Sequence, residues 1–227
     1  MKIAVLSDIH GNYPALKSAL EDCPSDIDEY IYLGDFIGLM GFPYETLELV
    51  MDTEFKSVKG NHDIAVLEHK VGHVNSKELS QFELEMNLES LTPEQIEWVT
   101  SLYPIRVVED ISAVMAHAKP YPDSASGLEV GNAGVKKRDY LSVASNFSDS
   151  YSYLFMGHTH DQAAIDCHKF GHDIVVLNPG SVGQPLGEAN YAIVDTETND
   201  FELKTVEYDK YVVTSRLKEL DVPLKWW

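Results

Sequence analysis

Several short stretches of this chain place oxygen and imidazole donors at spacings suited to holding metal ions. They are Asp8-Ile-His10, Gly34-Asp35, Gly60-Asn-His-Asp63 and Gly157-His-Thr-His160, with His117 as a further position. Taken alone, any one of these histidines is more often a structural residue, and an Asp-x-His pair is weak evidence. Their recurrence carries the weight. Each follows an apolar run that reads as a buried strand: Ile3-Ala-Val-Leu, Tyr30-Ile-Tyr-Leu, Phe55-Lys-Ser-Val, Ala113-Val-Met-Ala and Tyr153-Leu-Phe-Met. Strand ends of this kind gather at one edge of a sheet, where ligands collect in α/β folds. At Gly157 the glycine lets the backbone bend, so that His158 and His160 both project from a tight turn, a good place to hold a metal. Nitrogen and oxygen donors without thiolate suit Mn²⁺, Fe, Co²⁺, Ni²⁺ or Zn²⁺, and availability rather than sequence decides among them.

The elements that must position these groups follow from periodicity. After Asp8 and His10, Asn12 caps a helix with Pro14 in its first turn; Ala15, Leu16, Ala19 and Leu20 share a face until Cys23-Pro24 stops it. A strand at 30–34 leads through Asp35 to a helix starting near Pro43, and a strand at 54–58 leads into the Asn61 segment. Three such repeats predict a parallel half-sheet with crossover helices. Residues 64–104 are Glu-rich and helical, with a capping box at Thr92-Pro-Glu-Gln95, and read as an insertion beside the mouth of the site. His69 and His73 stand four apart there, but no third ligand is near and a solvent-facing pair is favoured. Strands at 105–109 and 111–116 follow, then an irregular stretch, a helix at about 133–146, and strands at 151–156, 162–167, 173–177, 190–195 and 201–207. This second half is expected to supply a second sheet packed on the first, with a last helix at about 209–220 over an outer face.

With 227 residues, one domain spanning 1–227 is expected. The 17 basic against 37 acidic residues give a formal charge of −20, which argues against docking on nucleic acid or anionic membrane. No apolar run at the amino terminus resembles a signal peptide and none later approaches a membrane span, so a cytoplasmic protein is expected. Cys23 and Cys167 fit no CxxC spacing and read as free thiols. Trp226 and Trp227 close the chain, a feature suited to packing on this or another copy, so a homo-oligomer is one expectation.

The ordered set Asp8-x-His10, Gly34-Asp35, Gly60-Asn-His-Asp63, His117 and Gly157-His-Thr-His160 resembles the calcineurin-like metallophosphoesterase superfamily over nearly the whole chain. The ending Asn178-Pro-Gly-Ser-Val-Gly-Gln-Pro185 is similar to that of its small, single-domain bacterial and archaeal phosphodiesterases. The resemblance implies a mixed α/β (α+β) fold: a two-sheet β-sandwich flanked by helices, αββα in four layers. It implies two divalent cations, with Asp35 bridging, Asp8, His10 and His160 completing one, and Asn61, His117 and His158 the other. Such a pair, roughly 3.5–4 Å apart, grips a phosphoryl group from both sides. By the same resemblance His62 is the histidine outside the coordination set that reaches the phosphate and leaving oxygen as general acid, with Asn61 beside it at the substrate. Asp63 either orients that imidazole or caps the following helix, and the two roles are compatible. Asn12 could face the substrate, though capping is favoured.

Two departures stand out. Ala118 follows His117 where many relatives have glycine, and Leu186 follows Gln184-Pro185 where many have arginine; Arg106, Lys119 or Arg138 could replace that cation. The function expected is metal-dependent hydrolysis of a small phosphodiester or nucleotide-type substrate, in preference to a phosphomonoester. The rival is a metal-binding protein-interaction scaffold of the same fold, from which His62 and the full set of ligand positions distinguish this chain. A DNA nuclease would want a basic groove, which the charge disfavours.

Overall fold

Near-continuous apolar runs on short central strands need cover on both faces, and the chain meets that need with two sheets pressed together and helices outside. The computed structural model describes residues 1–53, 55–72, 79–123 and 127–222. His73, Trp226 and Trp227, and the readings attached to them, lie outside the described residues; His69 is half-buried on its helix.

The first sheet runs β12-β11-β1-β2-β3, where β1 is Lys2–Leu6, β2 Glu29–Tyr32, β3 Phe55–Ser57, β11 Glu188–Asp195 and β12 Asp200–Glu207. β1, β2 and β3 are parallel, joined through helices α1 (Tyr13–Asp22) and α2 (Pro43–Met51). Against expectation, β11 and β12 do not join the second sheet. β11 pairs antiparallel with β1 in the register Lys2↔Asp195 to Val5↔Ala192, and β12 pairs with β11. An alternating pattern marks a strand, but which edge it extends depends on the free edge the folded chain offers. The second sheet runs β4-β5-β8-β10-β9: β4 Ile105–Val108, β5 Ala113–Ala116, β8 Tyr153–Met156, β9 Ala163–Asp166 and β10 Val175–Asn178.

Side chains sort themselves by parity along each strand. Ile3, Val5, Ile31 and Leu33 meet Met115, Tyr153, Phe155, Val175 and Leu177 between the sheets. Ala4, Leu6 and Tyr32 face the helices, which contribute Leu16, Leu47, Val66, Leu84 and Val99. On the far side Val114, Leu154, Met156 and Val176 pack against Tyr140, Val143 and Phe147. The result is helix, sheet, sheet, helix.

Helices α3 (Asn61–Lys70), α4 (Gln81–Ser90) and α5 (Pro93–Ser101) occupy the expected helical segment, and α5 carries the predicted capping box: Gln95 N–H donates to Thr92 Oγ1 at 3.2 Å. The helix expected at 133–146 is shorter: a 3₁₀ turn at Lys137–Asp139 and then α6, Tyr140–Ala144. The irregular stretch before it holds a hairpin, β6 (Pro120–Asp123) with β7 (Gly127–Val130), which lacked a readable signal because Pro120 and Pro122 demote a strand reading. Helix α7 is Lys210–Glu219, and no helix among the described residues is long and apolar enough to cross a membrane.

Candidate metal and phosphoester site

β1, β2 and β3 run parallel, as do β5, β8 and β10, so their carboxyl ends emerge at one edge of the sandwich. Asp8 and His10 follow β1, Asp35 follows β2, Asn61 follows β3, His117 follows β5, and His158 and His160 follow β8. The two sheets thereby bring together residues as far apart in sequence as 8 and 160.

Three donor atoms converge at one side: His10 Nε2 lies 3.1 Å from His160 Nε2, and Asp8 Oδ1 lies 3.2 Å from His160 Nε2. Three more converge at the other. Asn61 Oδ1 is 2.8 Å from both His117 Nε2 and His158 Nδ1, which are 3.2 Å apart. Asp35 Oδ2 stands between the two groups, 3.2 Å from His117 Nε2. Atoms bound about 2.0–2.2 Å from one tetrahedral ion stand about 3.3–3.6 Å from each other; the first group brackets that separation, with His10 Nε2 3.9 Å from Asp8 Oδ1, and the 2.8 Å contacts of Asn61 are at hydrogen-bond distance. Asp8 Oδ1 is buried and takes part in no hydrogen bond, which leaves a carboxylate lone pair to be met from the centre of the cluster. The donors also group as Asp8, Asp35 and His117, and as His10, Asp35 and His62, so geometry alone does not set His62 apart from the ligands.

Electrostatics favour a cation here. Burial alone would raise the Asp8 and Asp35 carboxyls, yet His117, with His160 at Asp8 and His62 at Asp35, holds both below the ordinary carboxylate range. Burial pushes the His10 imidazole down to about 3, keeping it neutral with a lone pair to offer. Burial also opposes charge on His117, but Asp35 and Asp8 outweigh it and raise the group to about 10. The pull that retains that proton is the pull a divalent cation would satisfy in its place. His117 Nδ1 is 2.8 Å from Leu33 O, a bond that turns Nε2 inward.

The backbone that presents these groups is unusual in a way residue spacing does not announce. Asp8 (φ 55°), His10 (φ 54°), Asp35 (φ 54°), His158 (φ 70°) and His160 (φ 57°) all occupy the left-handed region. Each such residue costs on the order of 1–3 kcal/mol and persists only where its surroundings over-determine it. Here the ligand loops are laced to each other: Asp8 N–H donates to Gly34 O at 3.0 Å, His10 N–H to Asp35 O at 2.8 Å and Gly157 N–H to His117 O at 2.9 Å. Gly60 has to be glycine because a Cβ there would overlap Asp35 Oδ1.

Of the two roles expected for Asp63, the contacts show the helix cap. Its carboxylate does not orient the His62 ring, whose Nδ1 is buried without a hydrogen-bond partner. It accepts instead from the N–H groups of Asp35 (2.9 Å), Phe36 (3.0 Å), Ile37 (3.3 Å) and Gly60 (2.8 Å), capping α3 while tying the Asp35 loop to it. Burial and the Asp35 charge push Asp63 up, to about 7, against the pull of those donors. Asn12 likewise serves structure: it accepts from Ala15 N–H at 3.2 Å and donates to Gly183 O at 2.9 Å and Tyr208 Oη at 2.8 Å. The Asn178–Pro185 loop supports Asp8 from behind, with Ser181 Oγ donating to Asp8 O at 2.7 Å.

A small cleft of about 50 Å³ opens beside Asn61, His117 and His158, walled by Ile64, Pro104, Ala118 and Val130. Its basic residue is Lys59, which none of the readings above singled out although it immediately precedes Gly60-Asn61; its Nζ donates to Thr100 O at 3.0 Å. Arg106, Lys119 and Arg138 do not line it. Of the segment expected over the site, Ile64 and Pro104 reach the cleft. Leu84 of α4, Leu91 just beyond it, and Ile96 and Val99 of α5 pack into the core with α2.

Comparison with known proteins places the chain by sequence and by fold. The family model described as a calcineurin-like phosphoesterase superfamily domain matches residues 1–199. An uncharacterised protein of Methanocaldococcus jannaschii is 30% identical over 242 residues, covering 96% of this chain and 94% of its own. Among solved structures, a metallophosphoesterase from Sphaerobacter thermophilus aligns with TM-score 0.78 at 24% identity, over 99% of this chain and 95% of its own. A hypothetical protein from Pyrococcus horikoshii aligns with TM-score 0.75 at 22% identity, over 99% and 95%. Both structural likenesses concern the fold.

Proposed function

Because the chain belongs to the calcineurin-like phosphoesterase superfamily, we propose that it hydrolyses a small phosphodiester or nucleotide-type substrate at a pair of divalent cations. Asp8, His10 and His160 would hold one, Asn61, His117 and His158 the other, with Asp35 shared between them. The observation that carries this reading is the pair of three-atom donor groups flanking Asp35 Oδ2, each with contacts near 3 Å. Mn²⁺, Fe, Co²⁺, Ni²⁺ and Zn²⁺ all suit such donors. Bound there, the cations would neutralise charge on the phosphoryl oxygens and furnish a nucleophile at neutral pH.

The chain's own residues do the rest. His62, nine-tenths buried, has its Nε2 3.9 Å from Asp35 Oδ2 and so stands at the edge of the donor groups. From there it delivers a proton from Nε2 to the leaving oxygen. Asn61, through the start of α3, fixes where the phosphoryl group sits relative to that proton. The substituent on phosphorus rests against Ile64, Pro104, Ala118 and Val130, with Lys59 offering positive charge at the same cleft. A diester is favoured over a monoester because that cleft has apolar walls where a second ester group would lie. A formal charge of −20 gains nothing from a polyanion, so short substrates are favoured over nucleic acid. The free thiols Cys23 and Cys167 suit a reducing, cytoplasmic setting.

The test compares kcat/KM for a small activated diester, a phosphomonoester, DNA and a phosphopeptide at matched metal and salt. Faster turnover of DNA or phosphopeptide overturns the substrate class. Absence of turnover on every substrate with metals bound overturns catalysis and returns the scaffold reading.

A further inference from the structure

Asn87 lies on α4, outside every motif that the family resemblance uses, yet it is fully buried and reaches the floor of the site. Its carboxamide takes both polar groups of one residue: Oδ1 accepts from Gly38 N–H at 3.0 Å, and Nδ2 donates to Gly38 O at 2.9 Å. Nδ2 also donates to Glu83 O within α4 at 2.6 Å, so the side chain couples helix to loop. Gly38 has φ 148°, a conformation that L side chains rarely adopt, and a Cβ built on it would lie 3.2 Å from His62 Nδ1 and 3.3 Å from His10 Nδ1. The Gly38 segment therefore passes so close to both rings that a side chain there would crowd them.

That support matters because neither ring is oriented from its Nδ1. His117 has Leu33 O as a hydrogen-bond partner there, whereas His10 Nδ1 and His62 Nδ1 are buried without one. Their surroundings are edge-to-face packing of the two rings, centroids 4.6 Å apart at 71°, and the Gly38 segment, which leaves no room for a side chain next to either Nδ1. From this we infer that Asn87 is a positioning residue, fixing Gly38 and through it the ring orientations of His62 and His10. This rests on the role of His62 proposed above. It gives α4 a part in the reaction beyond covering the core: the helix supplies the clamp under the acid.

The test replaces Asn87 with leucine, similar in volume but without hydrogen bonds. Leu84→Ala serves as a control that weakens the packing of the same helix while leaving the Asn87 carboxamide in place. At saturating metal, Asn87→Leu is expected to lower kcat on the order of 10²-fold with KM little changed, as for misplacement of a reacting group. Leu84→Ala is expected to lower Tm with kcat retained. In a His62→Ala background, Asn87→Leu is expected to cause a much smaller further loss of kcat, the remainder acting through His10. An undiminished loss in that background, or an equal loss from Leu84→Ala, overturns the inference. Should Asn87→Leu not fold, Asn87→Asp, which keeps the acceptor for Gly38 N–H, takes its place. If the wild-type protein cleaves no phosphoester, the proposed function fails, and ring ¹⁵N resonances of His62 and His10 still decide the positioning role. They are expected to move in the Asn87 variant and not in Leu84→Ala; unmoved resonances overturn it.

Discussion

The backbone N–H of His62 donates to Asp35 Oδ1 at 2.8 Å, while Asp35 Oδ2 lies 3.9 Å from the ring Nε2 of the same histidine. One carboxylate thus divides its two oxygens: Oδ1 anchors the first turn of α3, and Oδ2 faces the donor groups. Asp35→Asn keeps an oxygen for the anchor but removes the charge. We expect a folded protein that binds fewer than two metal ions per chain, by elemental analysis after reconstitution. Retention of two ions and of wild-type kcat would show that Asp35 is not shared.

His62 is where a ligand and a proton donor predict opposite results, since it groups with His10 and Asp35 among the donors. His62→Gln and His62→Ala are expected to keep full metal content while kcat drops by roughly 10²–10⁴-fold. Loss of metal in either variant would make His62 a ligand.

Asp63 predicts a stability effect in place of a purely catalytic one. Removing its carboxylate in Asp63→Ala strands four N–H donors in the interior, each costing about 1–3 kcal/mol when unmet. A loss of about 3 kcal/mol or more is expected by chemical denaturation, with weaker metal retention as the Asp35 loop loosens. An unchanged midpoint with a lower kcat would restore the orienting role for Asp63.

Metal removal is expected to destabilise the fold. Five of the residues proposed as ligands hold left-handed backbone, and the site gathers buried carboxylates and imidazoles whose charges a cation would balance. An ion that binds only the folded state at 100 times its Kd contributes about 2.7 kcal/mol. A chelator should therefore lower Tm, and Mn²⁺ or Zn²⁺ should restore it. A Tm indifferent to chelator and metal alike would count against a metal centre in this fold.

The gathering of donor residues was legible in one dimension because donor type and strand periodicity are local. Asp8, His10, Asp35, Asn61, His117, His158 and His160 each announce themselves by following an apolar run, and parallel strands send such ends to one edge. What the tertiary structure alone decided depends on which backbone arrives nearby. β11 and β12 extend the first sheet because β1 presents a free edge to them, a fact absent from their own alternation. Asp63 could not be assigned from its place after His62, since the N–H groups it satisfies come mainly from residues 35–37, near in space and distant along the chain. Asn87 is the extreme case: a single polar residue on a Glu-rich helix carries no pattern, and its role exists only because folding brings the unpaired polar groups of Gly38 against it in the dry interior. Buried polar groups must find partners, and distance through space selects them.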